Sequence, residues 1–347
     1  MEKNQIEAAC QAIRGGERAI ILAHQNPDAD TLGSALAIAR ALRTLGKEAV
    51  VICEDEIPTI YSFIPDVERV IRETHRRDFD IGIACDAQEP FRVGGSKDPL
   101  YSTDALITID HHPTSHEIEP AASASPAAVD AGEPVEPVPD YAGRRILLLD
   151  PAAAATAEIV IDLIDALGVP VDREIAEQLM AALVGDTGGF RFPNATPRTF
   201  EIAARLTRCG ALASEAARII YESRSFISTA LLGRALTSIE TDASGCIVWG
   251  RVRMEDFQAL GATDADTDSI VNHIRGVKGA RVGIIFREIE RNSVRISLRS
   301  QPGVDVRKIA AIFGGGGHER AAGCTVNRPL DEAVRLVVDE VRKWTGC

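Results

Sequence analysis

His24, Asp28 and Asp30 fall together in His24-Gln25-Asn26-Pro27-Asp28-Ala29-Asp30, directly after the apolar run Ala19–Ala23. Asp86 follows Ile81–Cys85, the triplet Asp110-His111-His112 follows Leu106–Ile109, and Asp186 closes Leu183-Val184-Gly185. Carboxylates and imidazoles converging from several chain segments are what a binuclear divalent-metal site needs. Mixed O/N ligation suits Mn²⁺, Fe²⁺, Co²⁺ or Zn²⁺, whereas Mg²⁺ prefers oxygen alone. Two such ions roughly 3.5–4 Å apart can acidify a shared water and present it in line with a phosphoester. The chemistry indicated is hydrolysis.

Taken singly, these residues have plainer readings. A DxD pair before a helix is ordinarily a cap, and it is the preceding His24 and the other acidic clusters that turn it toward metal. Asp110 is either a ligand or a carboxylate that orients its neighbours. Successive residues of an extended segment point to opposite sides, so His111 and His112 should do different work, one at the metal and one facing substrate. Arg191, five residues after Asp186, is either a surface charge or a contact to substrate phosphate. Gly314–Gly317, set between a helix and His318, reads as a tight loop whose backbone N–H groups could form an anion nest. It is not a dinucleotide fingerprint, because it follows a helix. Asp264-Ala265-Asp266-Thr267-Asp268 opens like a calcium loop, but Ser269 and Arg275 stand where glycine and glutamate are required, so it reads as an acidic helix start.

The elements that must position these groups alternate between short Ile/Val/Leu runs and amphipathic stretches from Glu17 to about Pro151. Strands are expected at Ala19–Ala23, Ala49–Cys53, Ile81–Cys85, Ala105–Ile109 and Ile146–Leu149, with helices at Thr31–Leu45, Thr156–Leu167, Arg173–Val184 and Thr199–Arg208. This predicts an α/β fold with a largely parallel, doubly wound sheet, whose ligand site lies beyond the carboxyl ends of the strands. His24, Asp86 and Asp110-His111-His112 all stand there. The second half mixes strands at Cys246–Val252, Arg281–Arg287 and Ser293–Ser300 with helices, as in a smaller α/β domain. Between them, residues 117–143 are dominated by Ala, Pro, Glu and Ser and read as a mobile insertion.

At 347 residues the chain exceeds the roughly 250–300 at which single cores stop growing, so two domains are expected. Its 45% hydrophobic and 26% charged residues are ordinary for a globular protein. A net charge of −13 argues against a surface that tracks long nucleic acids and leaves room for a local basic pocket. Any nucleotide substrate should be short. The seven cysteines are scattered and form no C-x-x-C pair, which predicts reduced thiols. No leader-like segment opens the chain, and no apolar run approaches the roughly 18 residues of a spanning helix; a cytoplasmic protein with no membrane partner is expected.

From Ile20 to Val326 the aspartate–histidine motifs, together with Gly315-Gly316-Gly317-His318-Glu319-Arg320-Ala321-Ala322-Gly323, resemble the DHH/DHHA1 phosphoesterase superfamily. Ser297-Leu298-Arg299-Ser300 and the two-domain length are similar to its nanoRNase/pAp phosphatase branch. The resemblance implies a catalytic domain over 1–210, a helical linker over 211–239, a substrate-binding domain over 240–347, and an active site in the cleft between domains. It implies that His24, Asp28 and Asp86 hold one metal and Asp30, Asp86, His111 and Asp186 the other, two Mn²⁺ being usual. His112 would act on the substrate and Asp110 would support it, while Arg191, Arg299, Ser300, Gly315, Gly316, Gly317 and His318 would bind it. The implied substrates are short RNA oligonucleotides and 3′-phosphoadenosine-5′-phosphate (pAp), with a homodimer left open. Ser115, where relatives often carry Asn, and the insertion after it depart from the pattern.

A phosphodiesterase of cyclic di-AMP or its linear product pApA would use the same metals and is the principal alternative. A pyrophosphatase would need a Lys/Arg-rich clamp in place of the glycine run. A nucleotide-binding regulator without turnover would have lost metal ligands, which are all present here.

Overall fold

In a computed structural model of the chain, residues 3–87, 97–112, 143–267 and 269–346 are described. Ser115 and nearly all of the 117–143 stretch lie outside them. The chain divides into two compact units, 1–223 and 224–347.

The first unit runs α1 (Lys3–Gly15), β1 (Arg18–Ala23), α2 (Ala29–Thr44), β2 (Glu48–Ile52), β3 (Ile81–Cys85), α3 (Lys97–Tyr101), β4 (Ala105–Asp110), β5 (Arg144–Leu149), α4 (Thr156–Leu167), α5 (Arg173–Asp186), α6 (Pro197–Arg208) and α7 (Ala213–Ala217). Its five strands are ordered β2-β1-β3-β4-β5, every pair parallel. Alternation along β1 explains why the run is apolar throughout. Ala19, Ile21 and Ala23 face the large core built with α1, α2, α4 and α5, while Ile20 and Leu22 face a smaller one with Phe79 and Leu100.

Helix α2 lies against α5 with little space between them, since a Cβ on Gly33 would fall 2.3 Å from the Gln178 carbonyl oxygen. Only glycine permits that approach. The crossing brings Asp28 and Asp30, at the start of α2, toward Asp186, the last residue of α5.

The second unit runs α8 (Phe226–Thr237), β6 (Glu240–Thr241), β7 (Ile247–Val252), α9 (Met254–Leu260), α10 (Ile270–Arg275), β8 (Val282–Glu290), β9 (Ser293–Ser300), α11 (Val306–Ile312), β10 (Gly316–His318), β11 (Ala321–Val326) and α12 (Leu330–Thr345). Its sheet is ordered β10-β11-β9-β8-β7-β6 and is mixed, β7 and β8 alone being parallel among the pairs. The acidic start at Asp264 is engaged by Arg287 at 2.9 Å and by Arg295, which accounts for its carboxylate without calcium. Cys10, Cys53, Cys85, Cys209 and Cys324 are free thiols. Cys246 is disulfide-bonded, a correction to the expectation of uniformly reduced cysteines. Among the described residues no helix is long and apolar enough to cross a membrane.

Candidate metal centre

His24 emerges from the carboxyl end of β1, and the turn after it is pinned to the neighbouring strand. The His24 N–H donates to Thr31 Oγ1 at 3.2 Å, and that hydroxyl donates to the Cys85 carbonyl at 3.0 Å. Asp28 then caps α2, its Oδ1 accepting from the N–H groups of Asp30 and Thr31 at 2.9 Å each. The capping role is therefore real, and it leaves Oδ2 facing His24 Nε2 at 3.8 Å. Asp86 leaves β3 with φ at +58°, a left-handed turn that Asp tolerates better than most residues, and its N–H donates to the Ile109 carbonyl at 2.8 Å.

Three groups of ligand atoms result, each with its members within 4.8 Å of one another: His24, Asp28 and Asp86; Asp30, His111 and Asp186; and Asp86, His111 and His112. Asp86 Oδ2 lies 3.2 Å from His24 Nε2, while its Oδ1 lies 3.7 Å from His111 Nε2. His111 Nε2 is also 3.0 Å from Asp186 Oδ2 and 3.8 Å from Asp30 Oδ2. One aspartate thus faces both the His24 group and the His111 group.

The imidazoles test whether these residues suit a metal. His24 Nδ1 sits 2.6 Å from the Gln25 carbonyl oxygen and His111 Nδ1 sits 3.2 Å from that of Ala153, so in each ring the carbonyl takes the Nδ1 proton. Nε2 is then the atom that can lose its proton and present a lone pair to a metal. Both Nε2 atoms are buried and make no hydrogen bond of their own. A buried imidazole with Nδ1 committed to a carbonyl and Nε2 aimed among carboxylates is the arrangement expected of a metal ligand with its outer shell in place.

The electrostatics agree. Burial, reinforced by Asp86, pushes the Asp28 carboxyl up, and burial with Asp186 and Asp86 pushes Asp30 well above the carboxylate range. Burial opposes ionisation of Asp86 too, but His112 and His24 outweigh it and hold that carboxyl below its usual range. Burial lowers His111, yet Asp186 and Asp30 bring it up to about 9. Asp30 gains some compensation from the amino end of α4, where its oxygens accept from the N–H groups of Thr156 at 2.7 Å and Ala157 at 3.1 Å. Carboxylates gathered at this density need cations. Saturating Mn²⁺ should therefore stabilise the fold: at a hundred times Kd the gain is about 2.7 kcal/mol, or roughly 5–10 °C in Tm for a domain of this size. Thermal melts with metal and then with chelator check this, and unchanged melting at saturating Mn²⁺ would count against a metal site.

Strand alternation does not separate His111 from His112. β4 ends at Asp110, and beyond it the two rings lie side by side, centroids 4.5 Å apart and tilted by 53°. What distinguishes them is hydrogen bonding. Asp110 Oδ1 accepts from both the N–H of His112, at 2.9 Å, and its Nδ1, at 2.7 Å. Those bonds with Asp110 and Asp86 raise His112 to about 10, so it is cationic near neutral pH, and its side chain is 40% exposed where that of His111 is 12%.

The expected substrate contacts divide between the two units, Arg191 in the first and Arg299, Ser300 and the glycine run with His318 in the second. Arg191 is exposed, its guanidinium 4.9 Å above the Tyr221 ring and its Nε donating to the Gly188 carbonyl. Arg299, on β9, donates to the Leu298 carbonyl at 3.0 Å. Ser300 is fully buried and its hydroxyl donates to the Val304 carbonyl at 2.6 Å, so it is withdrawn from the substrate contacts. The glycine run is not an open loop: Gly316–His318 forms β10, and a Cβ on Gly315 would fall 2.1 Å from the Gly323 carbonyl oxygen. Register places His318 opposite Ala321 and Ala321 opposite Arg299.

Three supporting groups had no signal in the sequence. They are the Ala153 carbonyl on His111; Thr156, which touches Asp30 and Asp86; and Asn194, whose Nδ2 donates to the carbonyls of Ala154 at 3.0 Å and Asp186 at 3.1 Å. Thr156 before an amphipathic helix offered only a helix start.

Comparison with known proteins gives the family. The DHH family N-terminal domain matches residues 18–183, and the DHHA1 domain matches residues 254–346. A bifunctional oligoribonuclease and PAP phosphatase NrnA from Thermus thermophilus is 33% identical over 326 residues, 93% of this chain and 89% of that protein. The Bacillus subtilis protein of the same name is 25% identical, with 92% of each covered. A cyclic-di-AMP phosphodiesterase PdeA from Listeria monocytogenes is 22% identical over 98% of this chain but only 50% of its own length. In fold, an exopolyphosphatase-related protein from Bacteroides fragilis is similar with a TM-score of 0.83, at 22% identity, over 99% of this chain and 97% of that one. The chain belongs to the DHH/DHHA1 phosphoesterase family.

Proposed function

We propose that this chain hydrolyses phosphoester bonds of short oligoribonucleotides and of pAp, releasing AMP and phosphate from the latter, with two Mn²⁺ at the carboxyl ends of β1, β3 and β4. The observation that carries the reading is Asp86, whose two oxygens face separate groups of ligands. His24, Asp28 and Asp86 would hold one ion, and Asp30, Asp86, His111 and Asp186 the other. Bound there, the ions supply an acidified nucleophilic water and neutralise charge growing on the phosphoryl oxygens. His112, cationic and gripped at Nδ1 by Asp110, is placed to stabilise those oxygens or to protonate the departing ribose oxygen. Arg299, Gly315, Gly316, Gly317 and His318 are assigned to a second phosphate or a base, and Arg191 to a phosphate contact. The relatives named as oligoribonucleases and PAP phosphatases support this substrate class.

A Mn²⁺-supplemented panel of pAp, di- to pentaribonucleotides, cyclic di-AMP, pApA and pyrophosphate tests it. Preferred turnover of pAp and short RNA is expected. Faster turnover of cyclic di-AMP and pApA would replace the substrate assignment while keeping the metal chemistry, and turnover of pyrophosphate alone would sink it.

For Arg299, a charge-assisted phosphate contact is worth about 1.5–3 kcal/mol, so Arg299→Ala should lower kcat/KM on pAp or dinucleotides roughly 10- to 150-fold. Bis-p-nitrophenyl phosphate offers no second phosphate or base to hold and should be hydrolysed almost as before. Equal losses on the two substrates would assign Arg299 to the fold or the metals instead.

A further inference from the structure

A bridging carboxylate must be held so that its two oxygens serve different ions, and the side-chain torsion that turns a carboxylate is soft. At Asp86 the candidates for holding it are few. His24 and His111 approach through Nε2, the atom each would give to a metal once its Nδ1 is committed to the Gln25 or Ala153 carbonyl, so with ions bound neither would be available to hold Asp86. His112 Nδ1 is shared, 3.2 Å from Asp86 Oδ1 and closer, at 2.7 Å, to Asp110 Oδ1, so its hold on Asp86 is the weaker of its two. Among the described residues, a donor to Asp86 that no metal and no second carboxylate competes for at its hydroxyl is Thr156. It is fully buried at the start of α4, and its hydroxyl donates to Asp86 Oδ1 at 3.1 Å.

The same residue reaches the second group as well, through its backbone N–H to Asp30 Oδ2 at 2.7 Å. Its main chain is fixed by that bond and by the helix, so the hydroxyl is presented from a rigid point. We propose that Thr156 is a positioning residue that locks the orientation of Asp86, keeping Oδ1 toward His111 and Oδ2 toward His24 so that one carboxylate can serve two ions. This rests on the two-metal reading above.

Thr156→Val replaces the hydroxyl with a methyl of similar shape, Thr156→Ala removes both branches, and Thr156→Ser retains the hydroxyl. Mn²⁺ stoichiometry and affinity are measured by titration calorimetry, and the pairing of the ions by electron paramagnetic resonance, on the full chain. Wild type should bind two Mn²⁺ with an exchange-coupled spectrum. The Val and Ala variants should bind one of the ions about 10- to 100-fold more weakly, the usual cost of an outer-shell group, and show the hyperfine pattern of isolated Mn²⁺ at concentrations that saturate wild type. Thr156→Ser should restore coupling. Should the Val variant fail to fold, the Ala and Ser variants carry the comparison. Wild-type affinity and coupling in the Ala variant would overturn the proposal, as would a Ser variant no better than Ala, which would assign the effect to the methyl group and packing. A single uncoupled ion in wild type would overturn both the two-metal reading and the role of Thr156.

Discussion

Asp86→Ala is expected to abolish turnover on every substrate, with activity falling by about 10⁴-fold or more, the scale seen when one member of an interdependent catalytic set is lost. No terminal ligand should match it. His24 and Asp28 serve one group and Asp30 and Asp186 the other, whereas Asp86 is 3.2 Å from His24 Nε2 through one oxygen and 3.7 Å from His111 Nε2 through the other. On the proposed two-metal reading its loss would remove a ligand from both. Metal content measured on the purified variant should fall together with rate. Because Asp86 occupies a left-handed backbone conformation, Asp86→Asn is the better-folded companion, since Asn accepts that conformation and loses the anionic charge. Retention of two metals per chain with near-normal rates in either variant would show that Asp86 does not bridge.

His112→Ala should lower kcat by roughly 10²–10⁴ while most of the metal stays bound, the range for a positioned proton donor. The expectation follows from its hydrogen bonds. Asp110 takes Nδ1 of His112, whereas the Ala153 carbonyl takes Nδ1 of His111 and leaves that ring's Nε2 among the carboxylates. Asp110→Asn should move kcat in the same direction by a smaller factor, because it weakens the grip on the ring without removing it. Metal analysis beside kinetics decides the assignment. If His112→Ala loses one ion stoichiometrically and His111→Ala does not, the two histidines have been given each other's work.

Much of this site was legible in the chain because a parallel sheet imposes a simple rule. Its strands are buried on both faces, so they announce themselves as short apolar runs, and all their carboxyl ends share one edge. Reactive residues directly after such runs must meet, and the chain alone therefore puts His24, Asp86 and Asp110-His111-His112 at one edge. Asp186 follows from the same logic one step removed, as a polar end to an apolar helix that crosses α2. The mixed character of the second unit was equally visible in its strand and helix periods.

What the chain alone did not fix is set by groups whose partners lie far away in sequence or have no side-chain identity at all. The difference between His111 and His112 is decided by the Ala153 carbonyl, 42 residues on, and alternation misleads because the strand has already ended. Thr156 looks like any residue at a helix start until α4 is seen to aim it at Asp86, 70 positions earlier. Ser300 carries a hydroxyl suited to substrate, and only the fold turns it inward onto Val304. Four successive glycines suggest freedom, yet the third and fourth are tied into a strand beside β11. Residue type and spacing determine which chemistry is present, because burial patterns are local. Which lone pair faces a metal, and which proton is already taken, depends on backbone donors and acceptors that every residue carries, and only their arrangement in space tells them apart.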